Sequence, residues 1–316
     1  MLFTKPINTP VVSMLLLIII SLACSLTLQG IVMFIFAVYS GSFDVLKSGA
    51  SIMSNPVFSN LLLAVSSIST FGLPAYFLLQ AEQRQINYFP VQRRGRLTYL
   101  VLVLFTMIAC IPLMSQVAEW NAKMVLPDSL KGIESWMREQ EDSAASMMSG
   151  IVMKTSWWGL IINLIILAIL PGICEELFFR GVIQTSFFRL FKNQHLAIWV
   201  TAIIFSAIHV QFYGFFPRML LGAFFGYLLI WSNNIWVPIF GHFINNATAT
   251  IFGFYYSREG KTFKEMSTAE AYPWYIYIGS IAATMVLLFI LYNYSRKVND
   301  GKRLGKDQDV YKCDPE

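Results

Sequence analysis

Three pairs of residues, each four positions apart, gather the unusual side chains of this chain's apolar stretches: Glu176 with Arg180, Phe205 with His209, and His242 with Asn246. Glu175 stands beside the first pair. These two glutamates are the only acidic residues inside any long apolar run. A charge at a bilayer centre costs about 2.5–3.5 kcal/mol, so intramembrane carboxylates point to a site. On a helix, residues four apart share a face. Glu176 therefore lies over Arg180 and the two can neutralise each other, while Glu175 is turned about 100° away. A paired acid is structural; an unpaired one in a low-dielectric cavity is basic enough to take a proton from water. Taken alone, the pair also suits a salt bridge between helices without catalysis. His242 and Asn246 could aim two N–H donors at one point, which suits an oxyanion; polar glue between helices is the alternative. His209 is either a hydrogen-bonded packing residue or a partner of Glu175, and depth favours the second. Glu175 lies seventeen residues before Lys192 and His209 thirteen after Leu196. Both therefore sit roughly 20–25 Å from one shared turn. His195 reads as a surface residue.

The elements that must hold these residues are membrane helices. The chain is 56% hydrophobic and 13% charged, against roughly 25% charged in a soluble domain. The spacing of apolar runs predicts about eight spans, at 11–39, 57–80, 97–116, 156–191, 196–212, 217–232, 235–255 and 272–294. The fold class expected is an all-α polytopic bundle whose motif helices enclose a polar cavity. The fourth span exceeds the bilayer, so Pro171-Gly172 is expected to kink it or split it in two. The first run is too long for a signal-peptide core and reads as retained. Cys24, Cys110, Cys174 and Cys313 are scattered, without a CxxC pattern.

Basic residues orient the bundle. Arg84, Arg93, Arg94, Arg96, Arg189, Lys192 and the tail from Arg296 fall on one side, which is taken as cytoplasmic, with both termini inside. The membrane expected is the bacterial cytoplasmic membrane. The charge reports topology, and no nucleic-acid partner is implied. The outer connection 117–155 is acidic. Within it, Leu130, Ile133, Trp136 and Met137 predict a short amphipathic helix capped by Asp128 or Ser129, lying on the membrane or on the bundle. The tail after Ser295 reads as disordered. Three regions follow: 1–155, N-terminal helices with the outer connection; 156–255, the motif core; and 256–316, a last helix and basic tail.

EExxxR, FxxxH and HxxxN in this order on successive membrane helices resemble the CPBP family of CAAX-processing endopeptidases and bacteriocin-processing or immunity (Abi) proteins. The resemblance covers roughly 156–255. It implies an intramembrane peptidase with a membrane-associated peptide or protein substrate. It also implies that Glu175 activates water, His209 binds or polarises that water, and His242 and Asn246 stabilise the oxyanion. Glu176, Arg180 and Phe205 are then supporting residues. HExxH is absent and no aspartate lies in a span, so a metal-free glutamate mechanism is expected. Zinc on Glu175, His209 and His242 is the alternative. Aspartyl, serine and HExxH peptidase types lack their residues here, and Cys174 lies where an apolar surround disfavours a thiolate nucleophile. Two other functions compete. One is a non-catalytic membrane scaffold or immunity protein. The other is a proton-coupled transporter, which an absent internal repeat argues against.

Overall fold

Helix starts are written in the caps. Thr9 accepts the Val12 N–H and is followed by Pro10; Asn55 accepts from Val57 and Phe58 and is followed by Pro56. Ser156 and Asn193 accept from Gly159 and Leu196 in the same way. The computed structural model describes residues 8–43, 55–263 and 272–298. Its helices are α1 Pro10–Ser40 and α2 Pro56–Ala81, then α3 Arg96–Ala109 and α4 Ile111–Ala122. After these come α5 Lys131–Val152, α6 Trp157–Phe191, α7 Gln194–Ala207, α8 Phe215–Ser232, α9 Trp236–Arg258 and α10 Trp274–Val298. No strand occurs among the described residues, only an isolated bridge between Val91 and Asn234.

This is a polytopic all-α membrane protein. Its outer surface suits lipid: Leu26 and Ile19 of α1 are 76% and 61% exposed. Five helices are long and apolar enough to cross a bilayer: α1, α2, α6, the stretch Phe212–Ser232 that contains α8, and α10. The bent pair α3–α4 makes a sixth. The eight predicted spans thus fold as helices without all being full spans. The third breaks at Cys110 and turns by 48°, because Pro112 cannot donate back into the preceding turn. The fifth, α7, has 14 residues, about 21 Å at 1.5 Å each. The seventh, α9, is long enough, but His242, Asn245, Asn246, Thr248 and Thr250 make it polar.

The fourth predicted span is not split in two at Pro171: α6 is one element of 35 residues. Two π-helical stretches, Leu164–Ile169 and Leu177–Ile183, flank the turn that carries the glutamates. The first ends with the Leu170 N–H on the Ile165 carbonyl, just ahead of the proline. The outer helix is longer than expected and starts after a 3-10 turn at Asp128–Leu130 without a side-chain cap. It packs on the bundle: Trp136 meets Phe212 at 5.4 Å and Arg138 covers the Tyr213 ring at 4.6 Å. The tail expected to be disordered after Ser295 begins as helix, since Arg296, Lys297 and Val298 continue α10; the rest of it lies outside the described residues.

Arg189, counted among the basic residues that orient the bundle, does not face water. It is buried in α6, where its guanidinium donates to the Asn8 carbonyl at 2.7 Å and to Ser13 Oγ at 3.3 Å. Glu82 completes the network, accepting from Ser13 Oγ at 2.5 Å and Tyr88 Oη at 2.6 Å. Burial, then the hydrogen bond to Glu82, push the Tyr88 phenol well above its ordinary range, so it remains a donor. This network holds the connection between α2 and α3 against α1 and α6.

Candidate active site

Close approach of α6 and α9 creates the site. At Gly172 a Cβ would lie 3.3 Å from the Phe243 amide nitrogen and 3.5 Å from the Ile239 carbonyl. Any side chain there would push the two backbones apart. One turn further along α6, Glu176 is wholly buried and its Oε1 lies 2.9 Å from His242 Nδ1 on α9. The same carboxylate lies 3.3 Å from Arg180 Nε through Oε2. Glu176 therefore bridges arginine and histidine. This widens the role expected for it, since the sequence pairs it with Arg180 alone.

Arg180 is fully buried. Its contact with Glu176 is an ion pair without hydrogen-bond alignment, and its N–H groups have no other partner among the described residues. Instead the guanidinium sits 4.7 Å over the Phe205 ring. Phe205 is the hub of the site, lying 5.1 Å from the His209 ring and 6.0 Å from the His242 ring. On its other face the His242 ring stacks on Phe225 at 5.4 Å.

Glu175, 13% exposed at its side chain, faces a cavity of about 590 Å³. Its Oε2 lies 3.9 Å from His242 Nε2, too long for a hydrogen bond and a span that one water can bridge. His209, Phe205, Asn246 and His242 line the same cavity. His209 follows the end of α7, where its Nδ1 lies 2.7 Å from the Phe205 carbonyl. A carbonyl only accepts, so Nδ1 carries the proton and the neutral ring presents Nε2 as an acceptor. Asn246 Nδ2 donates to the Leu167 carbonyl at 3.0 Å, and its Oδ1 accepts from Asn245. Leu167 is the residue four before Pro171, whose missing N–H leaves that carbonyl open. One Asn246 N–H remains for the cavity.

Sequence reasoning missed Arg218 and Gln211 in the cavity wall. Arg218 donates to the Gln211 carbonyl at 2.9 Å and to its side-chain oxygen. The signal was present: an arginine just inside the sixth apolar run. It also missed α5, whose Ala144, Met147 and Met148 line the cavity.

Among the described residues, no three His, Cys, Asp or Glu side chains converge as a metal ion requires. Glu175, His209 and His242 share the cavity without forming such a set. Each imidazole has its Nδ1 against an oxygen, the Phe205 carbonyl for His209 and Glu176 for His242, and its Nε2 left over.

Fold and site define a helical membrane protein whose buried polar core carries Glu175, Glu176, His209, His242 and Asn246. Residues 157–248 match the Rce1-like family, described as type II CAAX prenyl endopeptidase Rce1-like. That stretch contains every motif residue and agrees with the resemblance read from the three motifs. The uncharacterized protein YpbD of Bacillus subtilis (strain 168) is 30% identical over 89 residues, which is 27% of this chain and 42% of YpbD. The likeness thus covers less than half of that relative's length. No solved structure matches the chain.

Proposed function

We propose that this protein is an intramembrane endopeptidase that hydrolyses a peptide bond of a membrane-associated peptide or protein without a metal. The carrying observation is the 3.9 Å gap between Glu175 Oε2 and His242 Nε2 in the cavity that His209 and Asn246 also line. A water in that gap is held on one side by the carboxylate. Glu175 takes its proton as the oxygen attacks the scissile carbonyl. His209 Nε2, an acceptor, orients the water through its other O–H. The tetrahedral oxyanion then forms beside His242 and Asn246, whose second amide N–H serves as its donor. Glu175 passes its proton to the leaving amine, and the bond breaks.

The Glu176 contact sets a condition on His242. Glu176 holds a charge opposite Arg180, so His242 Nδ1 donates to it. For Nε2 to donate as well, the ring must carry both protons. Glu175, Glu176, Arg180 and such an imidazolium then sum to zero charge, which suits a low-dielectric site. A second reading comes from the same contact. A neutral His242 oriented by Glu176 presents Nε2 as an acceptor, in the manner of an acid-oriented histidine base. The test is cleavage of membrane-anchored peptides by purified protein, with Glu176→Gln read for the pH dependence of turnover. Under the first reading the alkaline side of the profile moves to lower pH, because the imidazolium loses its counter-ion. Movement of the acid side instead favours the second.

A further inference from the structure

We infer that the catalytic cavity takes its substrate from the face opposite the arginine-rich connections, so the substrate class is an exported or outer-leaflet polypeptide segment. This inference rests on the peptidase reading for the word substrate; the access path itself does not.

Two observations carry it, and they concern opposite ends of the bundle. At the arginine-rich end, the connection between α2 and α3 folds into the bundle. Ile86 and Tyr88 are buried, and Phe89 packs against the cluster of Leu229, Ile235 and Ile239, on which Ile173 and Leu177, on either side of the two glutamates, also pack. Gly181 admits this segment: a Cβ there would lie 3.2 Å from the Tyr88 carbonyl oxygen and closer still to the Phe89 ring. The Pro90 carbonyl accepts the Ile235 N–H at 2.8 Å, and Asn234 donates to Gln92, tying the plug to the start of α9. The Glu82–Tyr88–Arg189 network clamps it from the other side. The site is sealed on that face.

At the other end the cavity is walled by the opposite connections. Met147, Met148 and Val152 of α5, Gln211 of the turn after α7, and Phe263 beyond α9 all line it. Among the described residues, none from the connections 82–95, 192–193 or 233–235 does. Basic loops mark the cytoplasmic face of a membrane protein. The opening therefore looks outward. The end of a lipidated cytoplasmic chain would meet the plug, whereas a segment in the outer leaflet or beyond it meets the mouth.

Side-specific thiol labelling tests this without catalysis. In a chain whose four native cysteines are replaced by alanine, Ala249→Cys places a thiol in the cavity wall and Arg93→Cys one on the plugged face. Met147→Cys serves as a second cavity position should the first variant fold poorly. A membrane-impermeant maleimide is added to intact spheroplasts and to inverted vesicles. The expected result is labelling of the cavity thiols at least tenfold faster in spheroplasts and of Arg93→Cys at least tenfold faster in inverted vesicles. Cavity labelling from inverted vesicles, or from neither side, or on the same side as Arg93→Cys, overturns the inference. Absent cleavage with the expected labelling would instead count against the peptidase reading alone.

Discussion

Adjacent glutamates occupy different environments one helical step apart. Glu175 looks into the cavity; Glu176 lies between Arg180 and His242. Their substitutions should therefore separate. Glu175→Gln is expected to lower turnover by about 10²–10⁴-fold, the usual loss on removing a general base, while the protein still folds. Asn246→Ala is expected to cost about 10²–10³-fold as a lost oxyanion donor, and it also opens the Leu167 carbonyl. Single-turnover rates on purified variants check both; an Asn246→Ala rate equal to wild type would reduce that residue to helix glue. A chelator is expected to leave turnover unchanged, and activity that falls and returns with zinc would contradict the metal-free mechanism. The residue types and their helical spacing were legible in the sequence. The Glu176–His242 contact was not, because it depends on how closely Gly172 lets α6 approach α9, and no spacing within one helix reports an approach between two.

Helices and their connections set that approach. Gly181→Leu would drive a side chain into Tyr88 and Phe89. Overpacking of this kind costs about 1–3 kcal/mol, seen as a lowered unfolding midpoint in detergent; an unchanged midpoint would mean the plug is loosely held. At the other end, Glu134 accepts from Arg138 at 2.6 Å and from the Leu126 N–H at 3.2 Å, tying the segment before α5 to its first turns. The Arg138 hydrogen bond holds this carboxyl below its ordinary range. A lowered value means the tie is fully present above the unfolded value, about 4.3 for glutamate, and is lost as pH falls through the folded one. Amide exchange over Lys131–Arg138 should stay protected at neutral pH and quicken only in acid. Element positions were readable from apolar runs and caps. The unbroken α6 was not, because the carbonyl that Pro171 leaves open is met by Asn246 from another helix, and spacing along α6 does not report that partner.

At the scale of the whole molecule, the bundle has two unlike ends. One is clamped by a buried acid, tyrosine and arginine; the other opens beneath an amphipathic helix. Basic residues predicted which loops share a side, and Arg189 on Tyr88 Oη together with the backbone bonds from Gln92 to Asn233 and from Ile235 to Pro90 gather those loops together. That Arg189 is buried shows the limit of charge counting, since a sequence does not distinguish a solvated arginine from one hydrogen-bonded inside. The protein is expected to stay in the membrane pellet after an alkaline carbonate wash, and release into the supernatant would contradict integral insertion. The central claim is hydrolysis by Glu175 in the buried cavity. Its most direct test is cleavage of a membrane-anchored peptide library by the purified protein in detergent, wild type beside Glu175→Gln, with products read by mass spectrometry. The account predicts internal peptide-bond cleavage by wild type that falls at least a hundredfold in the variant. Equal cleavage by both proteins would contradict it.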